Sequence, residues 1–203
     1  MALDGTYAGL KASVADWLHR ADLAAIIPDL ISIAELRMNS DLAARDMETS
    51  TTLTTVTGQA QLATPLDVVE TRRLIVTSTD PLRVLKYIAP EKLTEKYPSG
   101  SLTGTPETYT VIGGNFEFGP TPDVAYTLAY TYRQRLPALA SVGTNWLLTK
   151  WPHAYLYGAL VAASPYLRDD ARIAVWEQQY QQAVADINQV DWYSGNNMAV
   201  RSI

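Results

Sequence analysis

Apolar residues near the N-terminus recur at spacings of three and four, which places them on one face of a helix. A first helix is predicted over residues 6–20, with Thr6 as its N-cap. A second is predicted from Pro28 to Ala44, because proline suits the first helical position, where its missing N–H costs nothing. The two apolar stripes consist of Tyr7, Leu10, Val14, Trp17 and Leu18 and of Leu30, Ile33, Ala34 and Met38. Glu35 and Arg37 fall outside the second stripe.

From Met47 onwards the pattern is typical of strands. The first part of this region is rich in Thr, whose branched side chain favours strands over helix interiors. One or two strands are predicted over residues 66–78 and a short strand over residues 81–85, with a short helix beginning at Pro90. The central part of the chain is therefore predicted to be rich in β structure.

Two signals in the same region are sharper. Gly113, Gly114 and Asn115 separate two short apolar runs and accept positive φ readily, so a hairpin is predicted there. Farther along, Tyr126, Leu128, Tyr130 and Tyr132 alternate with Ala and Thr. Alternation with a period of two predicts a strand with one buried face.

Beyond Pro137 the spacing of three and four returns. The segment from Thr144 to Val184 holds seven of the nineteen aromatic residues, and Pro152 and Pro165 are predicted to end or kink its helices. The last helix has a stripe of Ile173, Trp176, Tyr180, Ala183 and Ile187. Helices, then strands, then helices predict an α+β fold. We expect a helical bundle built from the N- and C-terminal segments, with a β-rich, sandwich-like insertion between them.

The expected divisions are residues 1–46 for the first helices and 47–137 for the β-rich insertion. Residues 138–189 would supply the C-terminal helices of the bundle, and residues 190–203 a C-terminal arm. Charged residues make up only 18% of the chain, which leaves more neutral surface to be covered and favours oligomerisation.

The net charge of −5 argues against binding of duplex DNA, which needs a basic face. Residues 1–50 carry eight acids and four bases, whereas residues 51–140 are balanced. Arg72 with Arg73, and Arg133 with Arg135, are interpreted as solvated strand or loop ends. The chain has no apolar run of about 20 residues and no signal-peptide pattern, so a soluble protein made in a cytoplasm is expected, without a membrane partner.

Residues suited to catalysis or metal binding are few. There is no cysteine, and neither His19 nor His153 has a second histidine four residues away, so both are interpreted as packed or capping residues. Asp169 and Asp170 are expected to cap the last helix. Motifs for a serine nucleophile or a phosphate loop are absent from the sequence. We therefore expect no catalysis, no metal and no cofactor.

The tyrosines of the alternating strand allow a second hypothesis. They could form a platform that stacks on single-stranded nucleic acid or sugar. The alternate positions are Ala and Thr instead of basic residues, and this favours a core face. The competing function is a non-catalytic β-domain module, on a helical stalk, that binds carbohydrate or another tail protein.

Three stretches together resemble bacteriophage head-to-tail adaptor proteins, also called connector proteins. They are IIPDLISIAELRMNSDL at residues 26–42, TYTVIGGNFEFGPTPDVAYTLAYTYRQRLPAL at residues 108–139, and TNWLLTKWPHAYLYGAL with PYLRDDARIAVWEQQY from residue 144 onwards. One departure is the run from Thr64 to Val68, TPLDV, where the family often has LPADF. The likeness spans residues 6–187 and contains no catalytic signature.

The resemblance implies a structural virion protein of the head-tail neck. Such adaptors form a ring, usually of twelve copies, beneath the portal protein. The ring extends the channel through which double-stranded DNA passes without specific binding, and it offers a platform to a tail or nozzle protein. Assembly in the host cytoplasm and a final place in the virion are therefore expected.

The resemblance also implies two sets of contact residues. A C-terminal arm that docks into the portal would use Trp192, Tyr193, Met198, Val200 and Ile203, although a frayed terminus is the alternative. Contacts between subunits would use Trp146, Trp151, Tyr155, Tyr157 and Trp176, since aromatic side chains suit interfaces. For about half of this second set, the alternative is that they fill the protomer's own core.

Overall fold

The computed structural model of the protein describes residues 3–98, 102–167 and 171–196, apart from the side chains of Ala21 and of residues 190–196. Both α-helices and antiparallel sheets are present, so the predicted α+β class is confirmed. The chain separates into two compact units. One combines Met1–Asp46 with Leu136–Ile203, and the other is Met47–Arg135. We call them the helical unit and the β unit.

The described residues contain seven α-helices. They are α1 (Tyr7–Leu18), α2 (Ile27–Asp41), α3 (Pro90–Lys96), α4 (Leu139–Val142), α5 (Trp146–Lys150), α6 (Pro152–Ala162) and α7 (Arg172–Asn196). The predicted cap of α1 is confirmed, since the N–H of Gly9 donates to Thr6 Oγ1 over 3.0 Å. Pro152 begins α6, as its fixed φ and missing N–H favour. Helix α7 continues to Asn196, past residue 189, where the C-terminal helices were predicted to end.

Helix α6 lies at the centre of the helical unit and contacts α1, α2, α5 and α7. Six of its eleven residues are buried: Ala154, Tyr155, Leu156, Gly158, Ala159 and Leu160. A helix that is apolar on all sides is stable only when it is surrounded. A Cβ added at Gly158 would lie 2.8 Å from Met38 Cε and 3.2 Å from Ala34 Cβ. Glycine at this position therefore allows α2 to pack closely on α6.

Helix α2 corrects one sequence prediction. Its buried residues are Ile27, Leu30, Ile31, Ala34, Glu35 and Met38. Ile33, predicted to be in the stripe, is 53% exposed, whereas Glu35, predicted to be outside it, is 6% exposed. The stripe follows the series that starts at Ile27 and Ile31, and Glu35 continues that series by four residues.

The buried Glu35 binds the segment in which the chain returns from the β unit. Its Oε1 accepts a hydrogen bond of 2.8 Å from the N–H of Leu139, the first residue of α4. One turn later on α2, Asn39 Oδ1 accepts a bond of 2.8 Å from the N–H of Leu136. Polar side chains of α2 thus satisfy backbone donors that would otherwise be buried without a partner.

The β unit contains ten short strands among the described residues. They are β1 (Glu48–Thr54), β2 (Gln61–Ala63), β3 (Val68–Val76), β4 (Arg83–Val84), β5 (Lys86–Tyr87), β6 (Thr103–Gly104), β7 (Thr108–Ile112), β8 (Asn115–Gly119), β9 (Thr121–Pro122) and β10 (Thr127–Gln134). They form two four-stranded sheets, ordered β1-β10-β3-β4 and β2-β8-β7-β5, and a two-stranded parallel pair, β6-β9. The predicted hairpin is confirmed as β7–β8, with Gly113 and Gly114 at φ 58° and 77°. The short strand and helix predicted near residues 81–96 are β4 and α3.

Aromatic rings fill the space between the two larger sheets. The Phe116 ring of β8 meets the Tyr130 ring of β10 edge-on, with centroids 5.0 Å apart. Tyr130 stacks on Tyr132 at 4.7 Å. Leu128, Tyr130 and Tyr132 are buried while their neighbours in β10 are only partly so, which confirms the alternation predicted for this strand. The buried face of β10 is therefore the core of the β unit.

The buried carboxyl of Glu35 makes stability depend on pH. Burial raises the pKa of Glu35, and the hydrogen bonds from Leu139 N–H and the Tyr155 hydroxyl offset this only in part. The folded protein therefore keeps this proton to a higher pH than the unfolded chain does. The resulting stabilisation is fully present below the ordinary glutamate pKa of 4.5 and is lost as pH rises through the raised value.

Glu35→Gln removes this dependence because the amide oxygen still accepts from Leu139 and does not ionise. We expect the stability of wild type relative to Glu35→Gln to fall as pH rises from about 4 to 8. All five tryptophans lie in the helical unit, so urea denaturation followed by tryptophan fluorescence reports on this unit alone. Glu35→Ala, which leaves Leu139 N–H without an acceptor, should lose about 1–3 kcal/mol at neutral pH. If the stability of wild type relative to Glu35→Gln stays constant or rises with pH, the raised pKa of Glu35 is contradicted.

Candidate assembly surface

The five aromatic residues predicted to contact neighbouring subunits divide into two groups. Tyr155 and Trp176 are 0% and 3% exposed, whereas Trp146, Trp151 and Tyr157 are half-buried. Tyr155 and Trp176 fill the core of the protomer itself and offer no surface to a neighbour. For these two residues the alternative of a core role applies, and only the other three keep exposed surface.

Tyr155 has a polar partner as well as apolar neighbours. Its hydroxyl accepts a hydrogen bond of 2.7 Å from Asn145 Nδ2, and the same amide group donates to the carbonyl of Pro137 over 3.0 Å. Asn145 also caps α5, since its Oδ1 accepts from the N–H of Leu148. Burial raises the pKa of Tyr155 far above its usual range, and nearby Glu35 adds to this. Tyr155 therefore acts as a neutral anchor inside the helical unit.

An aromatic surface lies where α1, α6 and α7 meet. Trp17, predicted to be in the buried stripe of α1, is 39% exposed, and its ring packs edge-on against Tyr157 with centroids 6.0 Å apart. Arg172 of α7 lies beside them: its Nη1 is 3.5 Å from the Trp17 carbonyl, and its guanidinium lies over the Trp176 ring at 5.0 Å. We call Trp17, Tyr157 and Arg172 the aromatic patch. Tryptophan, tyrosine and arginine are the residues most enriched at the energetic centres of interfaces.

A second apolar surface lies on the outer face of α2. Ile33 and Leu36 are 53% and 69% exposed and are three residues apart, so they are neighbours on this face. We call these two residues the α2 stripe. Next to it, Arg37 Nη1 donates to Glu177 Oε2 of α7 over 2.8 Å, and the Arg37 guanidinium lies over the Tyr180 ring at 4.4 Å. The charged neighbour of the stripe is thus held against α7, and the two apolar side chains stay uncovered.

Two of the four arginines interpreted as solvated strand or loop ends, Arg72 and Arg133, form ion pairs on the β unit. Arg72 lies 3.3 Å from Glu48 and 3.1 Å from Glu70, and Arg133 Nε is 3.8 Å from Glu70. Their positive charge is therefore matched by carboxylates on the same sheet. This arrangement does not favour a duplex, whose binding rests on cations that are free to neutralise phosphates.

The β unit also contains an open cleft of about 360 Å³, lined by Arg83, Val84, Lys86, Lys96, Glu107 and Thr108. Arg83 Nη1 lies 3.3 Å from Glu107 Oε1, and both side chains are about half exposed. Lys96 lies 5.1 Å above the Tyr97 ring. The single carboxylate of the cleft therefore pairs with one of the three cations that line it.

The strand tyrosines are core residues, as the alternation had favoured. Tyr130 and Tyr132 are 0% and 5% exposed, and Tyr132 donates to Asp67 Oδ1 over 3.1 Å. Burial together with Asp67 raises the pKa of Tyr132 to about 12. Rings in this position do not stack on a ligand, so these tyrosines give no support to a sugar-binding or nucleic-acid-binding platform.

The two histidines occupy structural positions. His19 follows α1 with φ 52°, and its backbone N–H bonds to the carbonyl of Ala15, so it caps the helix as one of the two expected roles. His153 packs against Trp151 with centroids 5.8 Å apart. Within the described part of the chain, no group of three or more His, Asp or Glu side chains is placed to hold a metal ion. No helix in residues 3–98, 102–167 or 171–196 is long and apolar enough to cross a bilayer.

The residues predicted for the portal-binding arm lie at the edge of the described chain. Trp192 and Tyr193 belong to the C-terminal part of α7, and their side chains are not described. Met198, Val200 and Ile203 lie outside the described residues, as do Asp169 and Asp170, the predicted caps of α7.

Sequence reasoning missed Glu35, Trp17 and the α2 stripe. The spacing contained the signal for Glu35, which stands four residues after Ile31 and eight after Ile27. The exposure of Ile33 and Leu36 could not be recognised, because an exposed apolar residue on a helix gives the same sequence pattern as a buried one.

Comparison with known proteins matches this chain, over residues 5–201, to the family model described as SU10 adaptor protein. A search of curated proteins finds no match. The match covers both units and nearly the whole chain, and it confirms the resemblance noted from the sequence. The chain belongs to the SU10 adaptor protein family.

Proposed function

We propose that this adaptor protein is a structural component of a phage virion, placed in the head-tail neck. In this proposal, identical copies form a ring of about twelve beneath the portal protein, a number taken from adaptor rings in general. The ring extends the DNA channel and offers a platform to a tail or nozzle protein. The observation that carries the proposal is the family match over residues 5–201.

The fold supports this proposal. The helical unit is composed of the two ends of the chain, and the β unit is composed of its middle. We take the helical unit as the bundle of the adaptor and the β unit as its insertion. A channel that passes DNA needs walls that do not retain it, and the excess of acids over bases in residues 1–50 suits such a wall by repelling phosphates.

A purely structural role needs no reacting groups, and the proposal includes no catalysis and no cofactor. The arm at residues 190–203 would dock into the portal. Assembly would take place in the host cytoplasm, before the neck is completed. In this proposal the contacts between neighbouring copies lie on the helical unit.

Ring formation needs two different surfaces on every protomer, because a head-to-tail contact joins unlike patches. The helical unit offers two: the aromatic patch and the α2 stripe. We propose that the α2 stripe of one copy packs on the aromatic patch of the next. Exposed apolar side chains are then covered in the ring, and Arg172 supplies the polar rim that such interfaces share. Of the five predicted contact residues, Tyr157 belongs to this interface.

Mixing the purified protein with its portal tests the function. We expect a complex with rotational symmetry in which electron microscopy shows a ring of adaptors around a channel. Portal alone and adaptor alone are the controls, since they separate ring formation from self-association. A protein that remains monomeric and never binds portal would contradict the proposed function.

Leu36→Glu tests the proposed contact. The side chain is 69% exposed and glutamate is a good helix former, so the melting temperature should change by no more than about 2 °C. Ring formation with portal should weaken at least about tenfold, because a charge would have to be buried in an apolar contact.

The matched control for this variant is Leu66→Glu, at a fully exposed position of the β unit, which should assemble like wild type. Normal rings from Leu36→Glu would remove the α2 stripe from the interface without touching the proposed function. Loss of assembly in both variants would instead indicate a general effect of added charge.

A further inference from the structure

Strand β1 is a long edge without the usual protection. Among the described strands it has a neighbour on one side only, and its seven residues pair with β10 in unbroken register. It contains no proline, and its single charge is on Glu48, its first residue. Soluble proteins normally shield edge strands with charges, prolines, bulges or short length, because free backbone groups attract other strands.

The other edges of the two larger sheets are shielded. Strand β4 covers only the end of β3, at Ile75 and Val76. The rest of β3 carries the charges of Glu70, Arg72 and Arg73, and its pairing with β10 shifts register twice. In the second sheet the edges are β2 and β5, which have three and two residues. Strands β1 and β3 belong to the same sheet, so the lack of shielding on β1 is not a property of the whole unit's composition.

The phase of the β1–β10 ladder shows which backbone groups are free. The N–H of Thr55 donates to the carbonyl of Tyr126 over 2.9 Å, continuing the register of the strand pair. Hydrogen-bonded pairs alternate in an antiparallel ladder, so Thr51 and Leu53 also bond to β10. The N–H and C=O groups of the even-numbered residues therefore point to the open edge, and the side chains at these positions are exposed: Glu48, Ser50, Thr52 and Thr54.

We propose that β1 pairs with β1 of a second copy, antiparallel and about a two-fold axis at Thr51. This register places Ser50 opposite Thr52 of the second copy and Glu48 opposite Thr54 of the second copy. It pairs the whole strand and adds about eight backbone hydrogen bonds.

The side chains of β1 suit this occupant. Ser50 with Thr52 and Thr51 with Thr51 are pairs of hydroxyl side chains, which favour each other, and Glu48 faces Thr54 instead of a second carboxylate. Apart from Glu48 at the start of the strand, the residues at the free edge are Ser and Thr, whose small side chains let the two backbones approach. Shifting the register by two residues keeps the hydrogen-bond phase but leaves part of each strand unpaired.

A two-fold contact closes on itself at two copies, whereas a ring uses head-to-tail contacts. The pairing therefore describes the free protein and is independent of the proposed ring. It also limits growth, because a β1 edge covered by another β1 edge presents no further strand to join.

Thr51→Cys tests the pairing directly. Residues on the two-fold axis form a pair without hydrogen bonds, with Cα atoms about 4.5 Å apart, and this distance suits a disulfide. The chain contains no other cysteine, so any disulfide joins two copies. Under mild oxidation we expect Thr51→Cys to form covalent dimers at least about tenfold faster than Ser50→Cys.

Ser50→Cys is a demanding control, because Ser50 is more exposed than Thr51 but lies too far from its own copy across the axis. Equal crosslinking of the two variants, or faster crosslinking of Ser50→Cys, would overturn the proposed pairing.

A second measurement does not depend on cysteine. Light scattering of the full chain over about 1–500 µM should show a monomer–dimer equilibrium. Thr52→Pro removes an outward N–H, which an edge strand tolerates, and should raise the dissociation constant at least about tenfold. Thr52→Val keeps the N–H and should dimerise like wild type. A wild type that stays monomeric throughout, or variants that dimerise alike, would overturn the proposal, whatever the outcome with portal.

Discussion

The helical unit depends on the hydrogen bonds between α2 and the segment that returns from the β unit. Its two chain segments are separated by the whole of Met47–Arg135, and yet they share one core. The entropic cost of closing a loop grows only slowly with loop length. A long insertion is therefore tolerated if the two chain segments that flank it are held together. Glu35 and Asn39 hold them by accepting the N–H groups of Leu139 and Leu136. Once this segment is fixed, Asn145 caps α5, and α5 leads directly into α6. Helix α6 in turn contacts α1, α2 and α7.

The same choice of helix face in α2 creates the candidate interface. Turning Glu35 inwards turns Ile33 and Leu36 outwards, so a carboxyl group occupies the core while apolar side chains meet solvent. In a lone monomer this arrangement gains the hydrogen bond from Leu139 N–H, but burying the carboxyl raises its pKa and exposing the isoleucine forfeits its burial. In the proposed ring, a second copy would cover the exposed face and offset this cost. The proposed contact would also cover Trp17 on α1, whose ring packs edge-on with Tyr157 and is still 39% exposed.

Features that depend on local spacing could be predicted from the sequence, and those that depend on distant partners could not. The glycine pair, the alternation in β10 and Pro152 each act within a few residues, so the hairpin, the buried strand face and a helix break near Pro152 could be predicted. The spacing from Ile27 and Ile31 indicated the burial of Glu35, but its hydrogen bond could not be predicted, because its partner, Leu139, lies 104 residues away in the sequence. The core places of Tyr155 and Trp176 were undecided for a similar reason: an aromatic residue in a helix stripe suits a core and an interface equally. The chain's membership of an adaptor family could be predicted, because three stretches resemble that family in their order and spacing.

The two units are suited to different kinds of contact. The helical unit exposes side chains, whose fit depends on shape and therefore on one specific partner surface. The β unit exposes the backbone of β1, which pairs with any extended strand of suitable register and is restricted only by what its side chains allow. The protein shields β3 with charges and irregular pairing, whereas β1, in the same sheet, has hydroxyl side chains at five of its seven positions and a single charge, on Glu48. Shielding one edge while leaving the other open directs pairing to a single place. A second β1 is the strand that fits this edge in length, charge and hydrogen-bond phase together.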